Sequence, residues 1–192
     1  MDIVMASASQ NSLARPTIRR YHWQHQRWKH PRGAGMSTLS AEGVTPSLAH
    51  QIQALTDRQA LTELVGRLDL LLDEKRFDDL RSVYTEDVVA DFPMSVGRVQ
   101  GVDVLAGFAR QRMTKFWRTQ HSSTNILIEL EGDRATVLAN RFSIHVHQEG
   151  RPQSHLDAGI AHRFQAVRTP QGWRFSRIEA EVLWTSGEPG SH

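Results

Sequence analysis

The hydrophobic period of this chain changes once, near residue 118, and that change restricts its fold more than any other feature. Before it, apolar residues recur at helical spacing; after it, they alternate. Leu61, Leu64, Val65, Leu68, Leu71 and Leu72 fall on one stripe at i, i+3, i+4 and i+7. That spacing predicts a helix to about Asp73 with one face in a core. Ile52 and Leu55 form a short apolar pair ahead of it, and Thr56-Asp57 reads as a cap for the longer part. A second short helix follows, with Phe77, Leu80, Val83 and Tyr84 facing inward. Asp87–Phe92 reads as a strand stopped by Pro93, and Arg98–Gln100 as a short strand between Gly97 and Gly101. A third helix covers about Val102–Lys115, with Val102, Leu105, Ala109, Met113 and Phe116 on its buried stripe.

From there the period is two. Four long strands are expected, at about Ser122–Glu131, Ala135–Gln148, Ser154–Thr169 and Trp173–Thr185. Turn sequences separate them at hairpin spacing, among them Glu131-Gly-Asp-Arg and Thr169-Pro-Gln-Gly. Helices first and a meander afterwards predict an α+β fold, with the helices on one face of a curved antiparallel sheet.

Composition bounds the partners. The chain has 192 residues and a net charge of +2, but the charge is unevenly placed. Met1–Gly35 carries six Lys and Arg against Asp2 alone, net +5, so the remainder is net −3. The basic character therefore belongs to the tail and says little about what the domain binds. Residues 1–46 have no sustained apolar period and too little apolar surface to offset the entropy of ordering. The segment is read as a disordered extension, with Met36 as a plausible native start. Nucleic-acid binding through its Arg, Lys, Tyr21, Trp23 and Trp28, and a transit-peptide role, stay open as alternatives. Residues 47–187 are read as the domain and 188–192 as a flexible tail. No apolar run approaches the ~18 residues that cross a membrane, so no membrane partner is expected. The chain has no cysteine, which excludes disulfides, a thiolate nucleophile and cysteine metal sites and permits a reducing, cytoplasmic location.

The strand Ala135–Gln148 places Ala135, Val137, Ala139, Arg141, Ser143, His145 and His147 on one face, with Leu138, Phe142, Ile144 and Val146 on the other. Small residues on the concave face of a curved sheet leave a cavity against the helices, the usual form of a small-molecule pocket. His145 would project into it. His121 opens the neighbouring strand, grouped by alternation with Ser123 and Asn125, while Ile126, Ile128 and Leu130 take the opposite face. Two imidazoles on adjacent strands suit proton transfer near neutrality, given an ordinary His pKa of ~6.5. Each also has a structural reading, as a hydrogen-bonded histidine of the sheet.

Asp73 closes the first long helix, where it either caps the next helix or serves the pocket. Asp69, one turn earlier, reads as solvent-facing. Asp91 ends a strand and is a candidate for the same cavity, and Arg141 would neutralise an acid or hold an anionic group there. Trp117 and Asn125 complete the candidate substrate contacts. His145 and His147 share a face, but no carboxylate completes a ligand set at fixed spacing, so no metal is expected. No phosphate-binding glycine loop, dinucleotide fingerprint or Gly-x-Ser-x-Gly elbow is present.

As a set, LDLLLDEKRFDDLRSVYTEDVVADF, GRVQGVDVLAGF, RTQHSSTN, GDRATVLANRF and GWRFSRIEAEVLW resemble the SnoaL-like group of the nuclear transport factor 2-like superfamily, over about Leu48–Gly187. The group includes scytalone dehydratase, bile acid dehydratases and polyketide cyclases. The resemblance implies a cone-shaped α+β barrel, its curved antiparallel sheet closed by three N-terminal helices over a deep apolar pocket. It also implies frequent dimers and chemistry without metal or organic cofactor. By position it assigns the catalytic histidine to His121, the second acid–base residue to His145 and the helix aspartate to Asp73. Leu68 and Leu72 stand where relatives carry tyrosines that help hold a substrate oxygen or a water. The expected activity is dehydratase, isomerase or cyclase chemistry on a small, largely apolar hydroxy or carbonyl compound. The alternative is a non-catalytic binding or dimerisation module of the same fold.

Overall fold

The computed structural model describes residues 47–92 and 97–188; the expected N-terminal extension, the Pro93 strand stop and most of the C-terminal tail lie outside them. Two α-helices, one 3₁₀ helix and six strands follow in the order the periodicities predict. They are α1 (Leu48–Asp73), the 3₁₀ helix Phe77–Ser82, β1 (Tyr84–Phe92), β2 (Gly97–Gln100), α2 (Val102–Met113), β3 (Arg118–Glu131), β4 (Arg134–Val146), β5 (His155–Thr169) and β6 (Gly172–Gly187). None of the described helices is long and apolar enough to cross a membrane.

The strands form one curved, open sheet in the order β2-β1-β6-β5-β4-β3. Its hairpins are antiparallel, but β1 and β6 run parallel, so the sheet is mixed rather than wholly antiparallel. The reason is topological: α2 and three hairpins intervene before β6 returns to the inner edge of β1.

Ser47 caps α1, its hydroxyl accepting the His50 N–H at 3.3 Å. Thr56 and Asp57 lie inside the helix rather than at its start. Thr56 donates to the Ile52 carbonyl. Asp57 is buried and accepts two guanidinium bonds from Arg168 at 2.8 and 2.7 Å and the Trp173 indole N–H at 3.0 Å. This contact fastens α1 to the β5–β6 hairpin. The leucine stripe of α1 is buried as its spacing requires, whereas Ile52 and Leu55 are exposed.

The core beneath the stripe is aromatic. Phe164 stacks on Phe175 at 4.3 Å between ring centroids, and Tyr84 sits 6.1 Å from Phe175. Interiors are packed as densely as organic crystals, yet this core stops short of the sheet's upper half. There β4 and β5 present Ser143 and Ala158 inward, and the small side chains leave space.

Candidate functional site

That space is a cavity of about 250 Å³, just below the ~300–1,000 Å³ common for ligand pockets. Leu68 and Leu72 of α1, Leu105 and Phe108 of α2, and Ile160 and Ile178 of the sheet supply much of its apolar wall. Its polar lining includes Tyr84, His121, Arg141, Ser143, His145 and His162.

His121 is held by Asp73. Helix α1 ends in a Schellman-type turn, with the Arg76 N–H on the Leu71 carbonyl at 2.9 Å and the Lys75 N–H on Leu72 at 3.2 Å. Lys75 takes the left-handed position, φ 56°, usually left to glycine. Its ammonium donates to the carbonyls of Phe116 and Trp117 at 2.7 and 3.4 Å, which ties the helix end to the entry of β3. The Asp73 carboxylate is thereby delivered to β3. It accepts the His121 backbone N–H at 2.9 Å and the Thr119 hydroxyl at 3.0 Å, and lies 2.6 Å from His121 Nδ1. The 3₁₀ helix has Arg76 at its N-cap position and no side-chain cap, so Asp73 bonds His121 and does not cap the next helix.

The chemistry of the pair sets its tautomer. Burial pushes the Asp73 carboxyl up, but the His121 contacts outweigh it and hold the group below its ordinary value. An ionised carboxylate only accepts. The Nδ1 of His121 therefore carries the hydrogen, and a neutral ring keeps its lone pair on Nε2.

His145 faces Thr119 across the β3–β4 pairing and lies beside His121, ring centroids 5.5 Å apart and nearly perpendicular. Its Nδ1 donates to the Leu156 carbonyl at 3.0 Å, which again leaves Nε2 as the acceptor of a neutral ring. Burial lowers its pKa, with the Leu156 contact opposing. Ser143 sits directly opposite His121 in the β3–β4 register, and its buried hydroxyl has no hydrogen-bond partner among the described residues.

Arg141 lines the cavity as expected, but its partner corrects the reading of Asp69 as solvent-facing. Asp69 is buried, 2.6 Å from Arg141 Nη2 in an ion pair lying off the hydrogen-bonding axis, and it accepts the Ser123 N–H at 3.0 Å. It lies four residues after Val65, on the edge of the same stripe, a signal present in the spacing.

Three expected substrate contacts lie elsewhere. Asp91 has the opposite strand parity to Val88, Ala90 and Phe92, so it turns from the cavity and pairs with Arg177. Asn125 is exposed in a left-handed conformation, φ 52°, at a bulge where the β3–β4 register shifts. The extra residue reverses the alternation. Ile126, Ile128 and Leu130 thus pack against the core on the His121 side instead of the opposite face. Trp117 is 42 % exposed and outside the cavity lining. Its neighbour Phe116 packs on His145 and His147 at 4.7 and 5.3 Å. Beyond β4, His147 sits on the Glu188 carbonyl.

Several lining residues escape the sequence reading, Tyr84 and His162 among them. Tyr84 passes as an ordinary core position there. The alternation Ala158, Ile160, His162, Phe164, Ala166 would have flagged His162 as a polar residue on an apolar face. Leu68 lines the wall, as expected of a substrate contact.

Comparison with known proteins agrees with this architecture. Residues 53–179 match the model of the SnoaL-like domain family. The uncharacterised Mycobacterium tuberculosis protein Rv2910c is 28% identical over 127 residues, covering 66% of this chain and 85% of its own. A putative scytalone dehydratase from Novosphingobium aromaticivorans superposes with a TM-score of 0.65 at 20% identity, over 73% of this chain and 93% of its own. A type 2 hexachlorocyclohexane dehydrochlorinase (LinA) gives 0.64 at 17% identity, over 74% and 95%.

Proposed function

Because the chain belongs to the SnoaL-like domain family, we propose that it is a cofactor-independent acid–base enzyme of the dehydratase, isomerase or cyclase type. Its substrate is a small, largely apolar hydroxy or carbonyl compound. The observation that carries this reading is the Asp73–His121 pair on the edge of a largely apolar cavity. His121 Nε2 removes a proton from carbon α to a carbonyl. The imidazolium that forms is stabilised by the Asp73 carboxylate, 2.6 Å from the Nδ1 of a buried ring. The Ser143 hydroxyl, which has no partner among the described residues, donates to the oxygen that leaves or gains charge, and the proton taken by His121 departs with the leaving hydroxyl as water, which returns the ring to its neutral form. Positioned proton transfer of this kind contributes about 10²–10⁴-fold. Support comes from the names of two structural neighbours, a putative dehydratase and a dehydrochlorinase, both of which denote eliminations.

The test is turnover of a panel of β-hydroxy ketones, followed by enone absorbance. His121→Ala is expected to abolish it with the melting transition retained; full activity in that folded variant rejects the assignment. A second reading, a non-catalytic ligand-binding module, is favoured by Leu68 and Leu72 on the cavity wall, where the resemblance leads one to expect tyrosine. On that reading ligands bind and no member of the panel reacts.

We further propose that residues 47–187 form the functional unit and that it works as a cytoplasmic homodimer. Support for the dimer is the outer sheet face, where Leu127, Phe142, Ile144 and Trp184 are each at least 40 % exposed.

A further inference from the structure

The cavity holds polar groups that the proton transfer above does not use. His162 is 6 % exposed, lines the cavity, and its Nδ1 has no hydrogen-bond partner among the described residues. Buried polar atoms without partners are rare, and this ring borders the empty space of the cavity. Its position is defined by stacking. The His162 ring lies nearly parallel to Phe164 at 5.4 Å, Phe164 stacks on Phe175 at 4.3 Å, and Phe175 meets Tyr84 at 6.1 Å. One aromatic row thus carries both Tyr84 and His162 to the core end of the cavity. Tyr84 is 5 % exposed and also lines the space.

This end lies away from His121. Ser143 marks the His121 position on β4, and the residue paired with His162 is Ala139, four residues along. At ~3.3 Å per residue that is ~13 Å of strand, and Leu68 and Ile160 supply apolar wall to the cavity.

We propose that Tyr84 and His162 form an oxygen-binding pole at the core end of the cavity. The substrate therefore carries a second oxygen, across its apolar body from the bond on which His121 acts. The inference rests on the acid–base reading of the His121 end. The oxygen is uncharged, a hydroxyl or a carbonyl. Arg141, the cation of this cavity end, is already paired with Asp69 at 2.6 Å, and burial keeps His162 in its neutral form. A carboxylate would enter with no free countercharge. Burial also keeps the Tyr84 phenol protonated, so it donates, while a neutral imidazole donates or accepts by choice of tautomer.

Binding of naphthalene, 2-naphthol and 2,6-dihydroxynaphthalene to the full chain tests this by calorimetry. These probes share one apolar body and carry no, one or two oxygens at opposite ends. The wild-type protein should bind the diol roughly 3- to 10-fold more tightly than 2-naphthol, the return of about one hydrogen bond. Tyr84→Phe and His162→Phe should each reduce that ratio, and the double variant should bring it to about one, with naphthalene binding retained. No diol preference in the wild-type protein, or a preference unmoved in both single variants, overturns the proposal. The assay needs no turnover. A protein that prefers the diol yet catalyses nothing overturns the acid–base reading alone. One that turns substrate over while the ratio ignores both variants overturns the pole alone.

Discussion

The carboxylate of Asp73 holds His121 twice, by the backbone N–H at 2.9 Å and by the ring Nδ1 at 2.6 Å. The two contacts fix where the strand lies against the helix end and which ring nitrogen carries the proton. Replacing the acid with an isosteric amide separates these roles. In Asp73→Asn the amide oxygen still accepts one N–H, but it no longer stabilises an imidazolium. Turnover is expected to fall by about 10²–10⁴-fold in kcat, with KM and the melting temperature little changed. A kcat within threefold of wild type would remove Asp73 from the mechanism.

Two buried imidazoles give the fold an acid-sensitive stability. Burial lowers the pKa of His145, against the Leu156 contact, and lowers that of His162 further. The unfolded chain then binds protons more readily than the native one below its ordinary value of ~6.5. Stability is full above that value and is lost as the pH falls below it, by up to ~1.4 kcal/mol per pH unit for each such histidine. Urea unfolding at pH 5, 6, 7 and 8 should show the decline, and His162→Phe should flatten it. An unchanged slope in that variant would assign the pH dependence elsewhere.

Asp57 contributes at lower pH. Its bonds from Arg168 outweigh burial, and the Trp173 and Gln53 donors add to them, taking its pKa from 3.8 to about 2. The group contributes about 2 kcal/mol, present above its unfolded value and lost as the pH falls toward 2. Asp57→Ala also leaves the Trp173 N–H and the two Arg168 Nη donors without their acceptor, so a loss of roughly 2–4 kcal/mol at pH 7 is expected from denaturant curves. A loss under 1 kcal/mol would show that the contact between α1 and the β5–β6 hairpin is dispensable.

The outer sheet face makes the proposed dimer testable. Phe142 and Trp184 pack at 6.0 Å, and the Trp184 indole lies so close over Gly159 that an added Cβ would stand 2.2 Å from Nε1. The patch is thus shaped as well as apolar. Phe142→Glu on this face should yield a monomer by sedimentation while the melting transition persists. A dimer of unchanged affinity would place the interface elsewhere.

Much of this was legible in the chain alone. The single change of period gives helices followed by a meander, the leucine stripe gives the buried face of α1, and alternation on β4 puts Arg141, Ser143 and His145 on one inner face. These are local regularities, in which the position of a side chain follows from its own element. What only the tertiary structure decided were relations between elements. The left-handed turn at Lys75 aims Asp73 at β3, and the bulge at Asn125 turns Ile126, Ile128 and Leu130 inward. Arg177 of β6 holds Asp91 away from the cavity, and a partner 72 positions away makes Asp69 a buried ion rather than a surface one. Tyr84 and His162 share a cavity only because β1 closes against β6 through a parallel pairing. Periodicity reports which face is buried. A single bulge, turn or long-range ion pair changes what a buried face meets, and none of these leaves a regular trace in the sequence.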